Sequence, residues 1–305
     1  SPSKGSLVVK NLSKKYEDMG TAIRSSQLNS KELKKYNKEI QKKKKADDKK
    51  PSKEDSVYVL NFNGDIQASE VTKLKHEINA ILLSDTKCKE VVIKVESGGG
   101  SAYAYGLCAA ELKRLVDNKI KLTVCIDKVA ASGGYLMSCV ASKIIAAPWA
   151  IVGSIGVIAQ LPNFHRLLKK NSIDFEMHTA GEFKRTLTTL GENTEDGRKK
   201  FKSELEDLHL IFKDFVKEQR PQVDTKVVAT GEVWQGEKAI EVGLIDALGT
   251  SDDYLVGLSK KLKLFEIDYV EKKNLTERFA FSAQLLIEKS ILKFYDIVNR
   301  DRFIS

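Results

Sequence analysis

A serine surrounded by small residues is the first candidate for chemistry in this sequence. Ser132 lies in the run Ala131-Ser132-Gly133-Gly134, directly after an apolar stretch that predicts a buried strand. Small neighbours let a substrate backbone approach the hydroxyl, and a helix that begins here would present unpaired N–H groups to a developing oxyanion. The same residues also fit a serine that only caps a helix. From this segment alone, both interpretations stay open.

A glycine triplet, Gly98-Gly99-Gly100, follows a second apolar stretch at 91–95 that predicts another strand. Glycines between a strand and a helix can cradle a phosphate or present backbone N–H groups to a carbonyl oxygen. The triplet matches neither the GxxxxGK(S/T) nor the GxGxxG pattern, so the sequence gives little support to nucleotide binding. By itself the triplet does not select a function.

A serine nucleophile needs a base. The GxSxG elbow of serine hydrolases is absent, because Ala130 stands where its first glycine would be. The four histidines are scattered, so none is singled out as a base and their spacing predicts no zinc site. The other solution is a lysine amine kept neutral by burial. Lys184 follows a predicted strand at 175–179 and a turn at Gly181, but it is one lysine among many.

The net charge of +9 comes mostly from one short segment. Eleven lysines lie between Lys31 and Lys53, with four acidic residues among them, so the rest of the chain is nearly neutral. Such a run is typical of a solvated helix face or a linker, and attraction to anionic lipid or nucleic acid is the alternative. We predict no nucleic-acid partner.

The 305 residues, 42% of them hydrophobic and 30% charged, exclude disordered and collagen-like proteins. No apolar run reaches the length of about 18 residues that spans a membrane. The sequence begins Ser-Pro-Ser without an initiator methionine, so we expect that a membrane anchor precedes it in the full protein. The four cysteines show no CxxC spacing and are expected to be small buried hydrophobic residues.

Apolar periodicity predicts an α/β fold from residue 56 onward. Strands are predicted at 57–62, 91–95, 122–126, 144–146, 157–159 and 266–270, and helices at 70–83, 102–116, 194–220 and 236–244, with a short helix after Ser132. Strands that alternate with helices indicate repeated βαβ units. We therefore divide the chain into a Lys-rich helical or linker segment at 1–55, a folded domain at 56–270 and a helical tail at 271–305.

Taken together, five motifs resemble the signal peptide peptidase A (SppA) family of Ser–Lys proteases, and in particular its SohB branch. They are Ser97-Gly98-Gly99-Gly100, Ala131-Ser132-Gly133-Gly134-Tyr135, Gly153-Ser154-Ile155-Gly156-Val157, Ala180-Gly181-Glu182-Phe183-Lys184-Arg185 and Ala229-Thr230-Gly231-Glu232-Val233-Trp234. The likeness covers roughly residues 5–280. One position departs from the family, since Gly98 stands where a proline is usual.

The resemblance implies a role for each matching residue. Ser132 would be the nucleophile and Lys184 its general base. The N–H groups of Gly100 and Gly133 would form the oxyanion hole, and Ser154 would orient the lysine amine. It implies no cofactor and no metal.

The resemblance also implies a fold, a substrate and a location. The fold would be the ClpP/crotonase type, a spiral of ββα units with additional assembly helices, and 56–270 would be the protease domain. The enzyme would be a serine endopeptidase that cleaves hydrophobic, membrane-associated peptides such as remnant signal peptides. It would lie at the bacterial inner membrane, with its catalytic domain in the periplasm.

The chain carries one serine motif and one lysine motif, and so corresponds to one half of the double-length members of that family. The resemblance therefore implies a homo-oligomer in which neighbouring protomers contribute Ser132 and Lys184. Two other functions stay open. A crotonase-like acyl-CoA enzyme uses similar N–H groups without a Ser–Lys pair. A non-catalytic membrane scaffold or chaperone would keep the pair too far apart in the assembled state.

Overall fold

The computed structural model describes residues 5–47 and 55–271 of the chain. Its strands are β1 (Gly5–Asn11), β2 (Ser56–Gly64), β3 (Cys88–Ser97), β4 (Lys121–Ile126), β5 (Val129–Ala131), β6 (Lys143–Ala146), β7 (Ile151–Gly153), β8 (Val233–Gln235), β9 (Ala247–Leu248) and β10 (Lys263–Glu271). Its helices are α1 (Leu12–Ser26), α2 (Ser30–Asp47), α3 (Val71–Leu83), α4 (Ala102–Asp117), α5 (Gly133–Ser138), α6 (His165–Lys170), α7 (Glu195–Gln219), α8 (Thr225–Val228), α9 (Gly236–Glu241) and α10 (Ser251–Ser259).

Two compact units make up the chain. The larger unit is Val9–Ile267, and it contains every candidate site residue. The smaller unit combines Ser1–Val8 with Asp268–Ser305, and its described residues, 5–8 and 268–271, are the outer ends of β1 and β10. The candidate chemistry therefore belongs to the larger unit.

A parallel sheet forms the centre of the larger unit, in the order β10-β2-β3-β4-β6-β9. Parallel neighbours need a crossover connection, which α3 supplies between β2 and β3 and α4 between β3 and β4. Side chains alternate along a strand, so the sheet divides its apolar residues between two cores. Leu60 and Phe62 of β2 enter one core, whereas Val57 and Val59 enter the other. Because both faces are covered, β2 is apolar without interruption from Val57 to Leu60.

A shorter group of strands branches from the end of β3. β5 pairs in parallel with β3 and with β7, and β8 pairs antiparallel with β7. The register places Ala130 beside Ser97, and Ala131 beside Gly153. Because β3, β5 and β7 run in the same direction, the residues that follow them meet at one edge.

The α/β architecture predicted from the sequence is confirmed, but two predicted strands are wrong. Residues 157–159 and 175–179 form no strand, and most of their side chains are exposed. Apolar residues stabilise a strand only when neighbouring strands cover them, and no strand pairs with these segments. Conversely, β5, β7 and β8 were not predicted, because three residues are too few to display the period of a strand.

The N-terminal segment at 1–55 contains β1 and two helices. The side chain of Asn11 caps α1 by accepting the N–H of Lys14, and the first helical residue, Leu12, is buried in the same core as Leu255 of α10. The lysine side chains of α2 from Lys31 to Lys42 are exposed. The helical tail predicted at 271–305 lies outside the described residues after Glu271. Within the described ranges, no helix combines the length and the apolar character needed to cross a bilayer.

The long helix predicted at 194–220 is α7, and Thr194 caps it by accepting the N–H of Gly197. Only Phe212 and Val216 of this helix are buried. Leu210 and Ile211 are 51% and 64% exposed. Much of the helix surface, including apolar side chains, is thus not covered by the described part of the chain.

An ion pair between a buried arginine and a more exposed aspartate fixes the C-terminal end of α7. Arg220, which is 3% exposed, donates to both carboxylate oxygens of Asp246 at 2.9 and 2.8 Å and to the carbonyl oxygen of Gly243 at 3.1 Å. Asp246 also accepts the N–H of Ile144 at 2.7 Å. Bidentate, charge-assisted bonds are strong and directional, so this pair joins the end of α7 to β6.

Asp246→Asn is expected to destabilise the protein by about 3 kcal/mol, because Arg220 would become a buried charge without its partner. The control is Glu206→Gln, which breaks the mostly exposed pair of Lys202 and Glu206 and should change stability far less. Urea unfolding of both variants measures the two losses. Equal losses would show that the Arg220–Asp246 pair does not hold the fold.

Candidate active site

Ser132 lies at the junction of β5 and α5 in a strained backbone conformation, with φ of 52° and ψ of −119°. Its N–H donates to the carbonyl oxygen of Gly153 at 2.8 Å, and its carbonyl oxygen accepts the N–H of Leu136 at 2.9 Å. These bonds hold the residue from both sides. Ser132 occupies the N-cap position of α5, but its hydroxyl makes no capping hydrogen bond. The half-buried hydroxyl is therefore available for other chemistry.

The small residues after Ser132 are required by close packing. A Cβ on Gly133 would lie 2.4 Å from the ring of Tyr105, and a Cβ on Gly134 would lie 2.7 Å from the carbonyl oxygen of Ser97. Real Cβ atoms do not tolerate such distances. Glycine at both positions thus lets α5 lie directly against α4 and the end of β3.

The glycine loop after β3 lies against Ser132. Gly99 has a φ of +89°, and a Cβ there would be 2.7 Å from the Cβ of Ser132 and 2.7 Å from the nitrogen of Gly133. The sequence singled out Gly100, but Gly99 is the residue whose backbone contacts the serine. A Cβ on Gly100 would instead lie 2.2 Å from the carbonyl oxygen of Ile66. In the described chain, the N–H groups of Gly100 and Gly133 donate no hydrogen bond.

Ser154 is brought next to Ser132 by the sheet register. Ala131 pairs with Gly153, so Ser132 and Ser154 are the next residues on adjacent parallel strands, which lie about 4.8 Å apart. Ser154 also has a positive φ, of 51°, and its N–H donates to the carbonyl oxygen of Glu232 at 2.7 Å. Glu232 lies far along the chain from Ser154, so sequence reasoning could not select it for this contact.

Lys184 lies in an exposed segment between α6 and α7. Its N–H donates to the carbonyl oxygen of Gly181 at 3.2 Å, and Gly181 has a φ of +94°. The turn expected at Gly181 is therefore present. Within the described parts of this single chain, the amine of Lys184 makes no hydrogen bond and no ion pair, with Ser132 or with any other residue.

The segment that carries Lys184 exposes an unusual number of apolar side chains. They are Ile158, Leu161, Phe164, Leu167, Ile173, Phe175, Met177 and Phe183, each at least 42% exposed. Exposed apolar side chains in this number are typical of an interface with another chain. The structure thus groups Ser132, Ser154 and the glycine loop, and leaves Lys184 on this apolar segment.

An open cleft of about 310 Å³ lies beside the glycine loop. It is lined by Asn63, Gly64, Asp65, Glu96, Ser97, Gly98 and Val129. The carboxylate of Asp65 accepts the N–H of Ser69, and this hydrogen bond lowers the pKa of Asp65 below its ordinary value. The cleft therefore places two acidic residues, Asp65 and Glu96, and one apolar side chain, Val129, next to the loop. No group of three or more potential metal ligands occurs within the described residues.

Comparison with known proteins identifies the family. The model of peptidase family S49 matches residues 114–264, and the model of its N-terminal region matches residues 1–112. The probable protease SohB of Haemophilus influenzae is 46% identical over 292 residues, which are 92% of this chain and 83% of that protein. The probable protease SohB of Buchnera aphidicola from Acyrthosiphon pisum is 49% identical over 243 residues, 80% of this chain and 72% of that protein.

One less similar sequence relative and one solved structure were also compared. The putative signal peptide peptidase SppA of Enterococcus faecium is 32% identical and covers 65% of this chain and 58% of that protein. Among solved structures, a mutant of the 1510-N membrane-bound stomatin-specific protease with a substrate peptide has a TM-score of 0.45 and 15% identity, and covers 68% of this chain and 80% of that one. That structural likeness is too low to support further argument.

The two family models together span most of the chain, in the order N-terminal region and then protease region. The larger unit has the α/β arrangement that the sequence predicted, with a parallel sheet at its centre. The chain therefore belongs to peptidase family S49, as a SohB-like member, and is a serine protease.

Proposed function

We propose that Ser132 is the nucleophile of this protease and that Lys184 is its general base. The setting of Ser132 carries the proposal. Its strained backbone is held at both ends, its hydroxyl is uncommitted, and the N–H groups of Gly100 and Gly133 are unused. Strain of this kind costs on the order of 1–3 kcal/mol and is concentrated at functional sites.

In the proposed mechanism, Ser132 Oγ attacks the peptide carbonyl carbon while its proton passes to Nζ of Lys184. The N–H groups of Gly100 and Gly133 donate to the oxyanion that forms. Lys184 then gives the proton to the leaving amine, and the C–N bond breaks. Water, deprotonated by the same amine, attacks the acyl-enzyme; the ester bond to Ser132 Oγ breaks, and Lys184 returns the proton to that oxygen. Ser154 holds the amine in place through its hydroxyl.

Lys184 reaches a serine of a neighbouring protomer in this proposal. The exposed apolar side chains around Lys184 support it, because a second copy of the chain would remove that surface from water. Burial at such an interface also disfavours the charged form of an amine, and a base must be neutral. The apolar segment would thus serve both assembly and catalysis.

The proposed substrates are hydrophobic, membrane-associated peptides such as remnant signal peptides. One physical requirement and one comparison support this class. A lysine that acts as a neutral base requires an apolar pocket, and the relative from Enterococcus faecium carries the name of a putative signal peptide peptidase. We place the protein at the bacterial inner membrane with its catalytic domain in the periplasm. The exposed lysines of α2 would lie at the anionic lipid surface.

Ser132→Ala and Lys184→Ala should each abolish hydrolysis of a hydrophobic peptide without unfolding the protein, because both groups take part in the same proton transfer. The double variant should be no less active than either single variant. Lys169→Ala, on the exposed helix α6, is the control and should retain activity. Full activity of Lys184→Ala would exclude it as the base. Folded, inactive wild-type protein would favour the scaffold or chaperone function.

Activity should rise from neutral toward alkaline pH, since only a neutral amine can accept the proton of Ser132. The measurement is kcat/KM for a soluble peptide between about pH 6 and about pH 10, where lysines titrate. Circular dichroism over the same range checks that the fold persists. A maximum in mild acid would indicate a carboxylate or histidine base instead.

Mixing Ser132→Ala protein with Lys184→Ala protein should restore part of the activity. Each inactive chain would supply the group that the other lacks, so shared sites regain complete Ser–Lys pairs. Subunit exchange is followed in parallel by fluorescence transfer between labelled chains. Demonstrated exchange without recovered activity would mean that each chain builds its own pair.

A further inference from the structure

A buried chain of hydrogen bonds lies beneath the glycine loop. Tyr105 of α4 is fully buried, and its hydroxyl lies 2.7 Å from the carbonyl oxygen of Asp65 and 2.6 Å from Oγ of Ser97. Ser97, the last residue of β3, is 2% exposed, and its Oγ accepts the N–H of Gly99 at 3.0 Å. Groups from three separate parts of the chain are therefore joined beside Ser132.

The direction of every bond in this chain follows from chemistry. A carbonyl oxygen can only accept, so Tyr105 donates its single hydroxyl proton to Asp65. The contact between Tyr105 and Ser97 must then be a donation by Ser97. Burial raises the pKa of Tyr105, so its phenol keeps the proton that it donates. Bonds that point the same way polarise and strengthen one another.

Tyr105 also contacts Gly133, the residue that carries the second N–H group of the site. A Cβ on Gly133 would lie 2.4 Å from its ring, so the ring packs directly against Gly133. Through Ser97, the same side chain reaches Gly99, which contacts Ser132 from the other side. One buried tyrosine therefore supports Gly133 directly and Gly99 through Ser97, on the two sides of Ser132.

Three consecutive glycines are free to adopt many conformations unless other groups restrain them. The hydroxyl of Ser97 takes the N–H of Gly99 and so fixes one peptide plane of the loop. The N–H of Gly100, one residue later, is left without a partner in the described chain. The N–H of Gly99 is therefore used to hold the loop, whereas the N–H of Gly100 is available to bind substrate.

We propose that Ser97 and Tyr105 are positioning residues of the oxyanion hole. Ser97 holds the Gly99 peptide so that the N–H of Gly100 faces the substrate carbonyl, and Tyr105 holds Ser97 while it supports Gly133. The inference rests on the proposed function of Gly100 and Gly133 as oxyanion donors. Neither Ser97 nor Tyr105 touches the reacting atoms.

The first test is steady-state kinetics of Ser97→Ala and Tyr105→Phe in the full chain. Because the oxyanion exists only in the transition state, kcat should fall about 10- to 100-fold while KM changes less than about twofold. Ser142→Ala and Tyr58→Phe are matched controls: Ser142 bonds both backbone groups of Leu122, and Tyr58 bonds Thr86. Both controls should keep kcat. A higher KM with unchanged kcat in the two test variants would overturn the proposal.

The second test does not depend on activity. In protein labelled with ¹⁵N-glycine, the amide of Gly99 should exchange slowly with solvent, and Ser97→Ala should abolish that protection whereas Ser142→Ala should not. Rapid exchange of Gly99 in the wild type would overturn the inference alone. An inactive wild type with a protected Gly99 would overturn the proposed function, and the inference with it. If Ser97→Ala does not fold, Tyr105→Phe decides by the same kcat measurement.

Discussion

The candidate active site depends on the parallel pairing of β3, β5 and β7. Parallel strands end at the same edge, so the glycine loop, Ser132 and Ser154 are adjacent although they are far apart in the chain. The same pairing holds Ser132 in its strained conformation, because Gly153 at the end of β7 accepts its N–H. Residues placed by strands are positioned more rigidly than residues on long loops. Ser132, the proposed nucleophile, is thus held by the sheet itself.

Close packing decides which residue types can surround that edge. Gly99, Gly133 and Gly134 each lack the space for a Cβ, because backbone or ring atoms already lie within 2.7 Å of its position. Their small size therefore has two consequences that arise together. It lets α5 and the glycine loop meet at Ser132, and it leaves the hydroxyl accessible from one side.

The two proposed catalytic residues lie in contrasting surroundings. Ser132 is joined to the sheet, whereas Lys184 lies on a segment whose apolar side chains face solvent in the single chain. Exposed apolar surface is unfavourable, so it gives a physical reason for a second chain to cover the segment. In the proposed assembly, the same association that covers this surface also supplies the base. Catalysis would then require oligomerisation, because each active site would take Ser132 from one chain and Lys184 from another.

Apolar periodicity in the sequence was enough to predict the α/β fold. The order of the small-residue motifs was enough to name Ser132 and the glycine loop as candidate site residues. Both predictions depend on residues that lie close together in the chain. Strands of three residues, such as β5 and β7, were beyond this reasoning, since their existence depends on pairing with distant strands. The exposed segments at 157–159 and 175–179 show the reverse error, because apolar alternation forms no strand without a partner. Only the tertiary structure showed that Gly99 contacts Ser132, and that Tyr105 contacts both Gly133 and Ser97. Those contacts are set by backbone dihedral angles and by packing between α4, α5 and β3, which no spacing of residue types records.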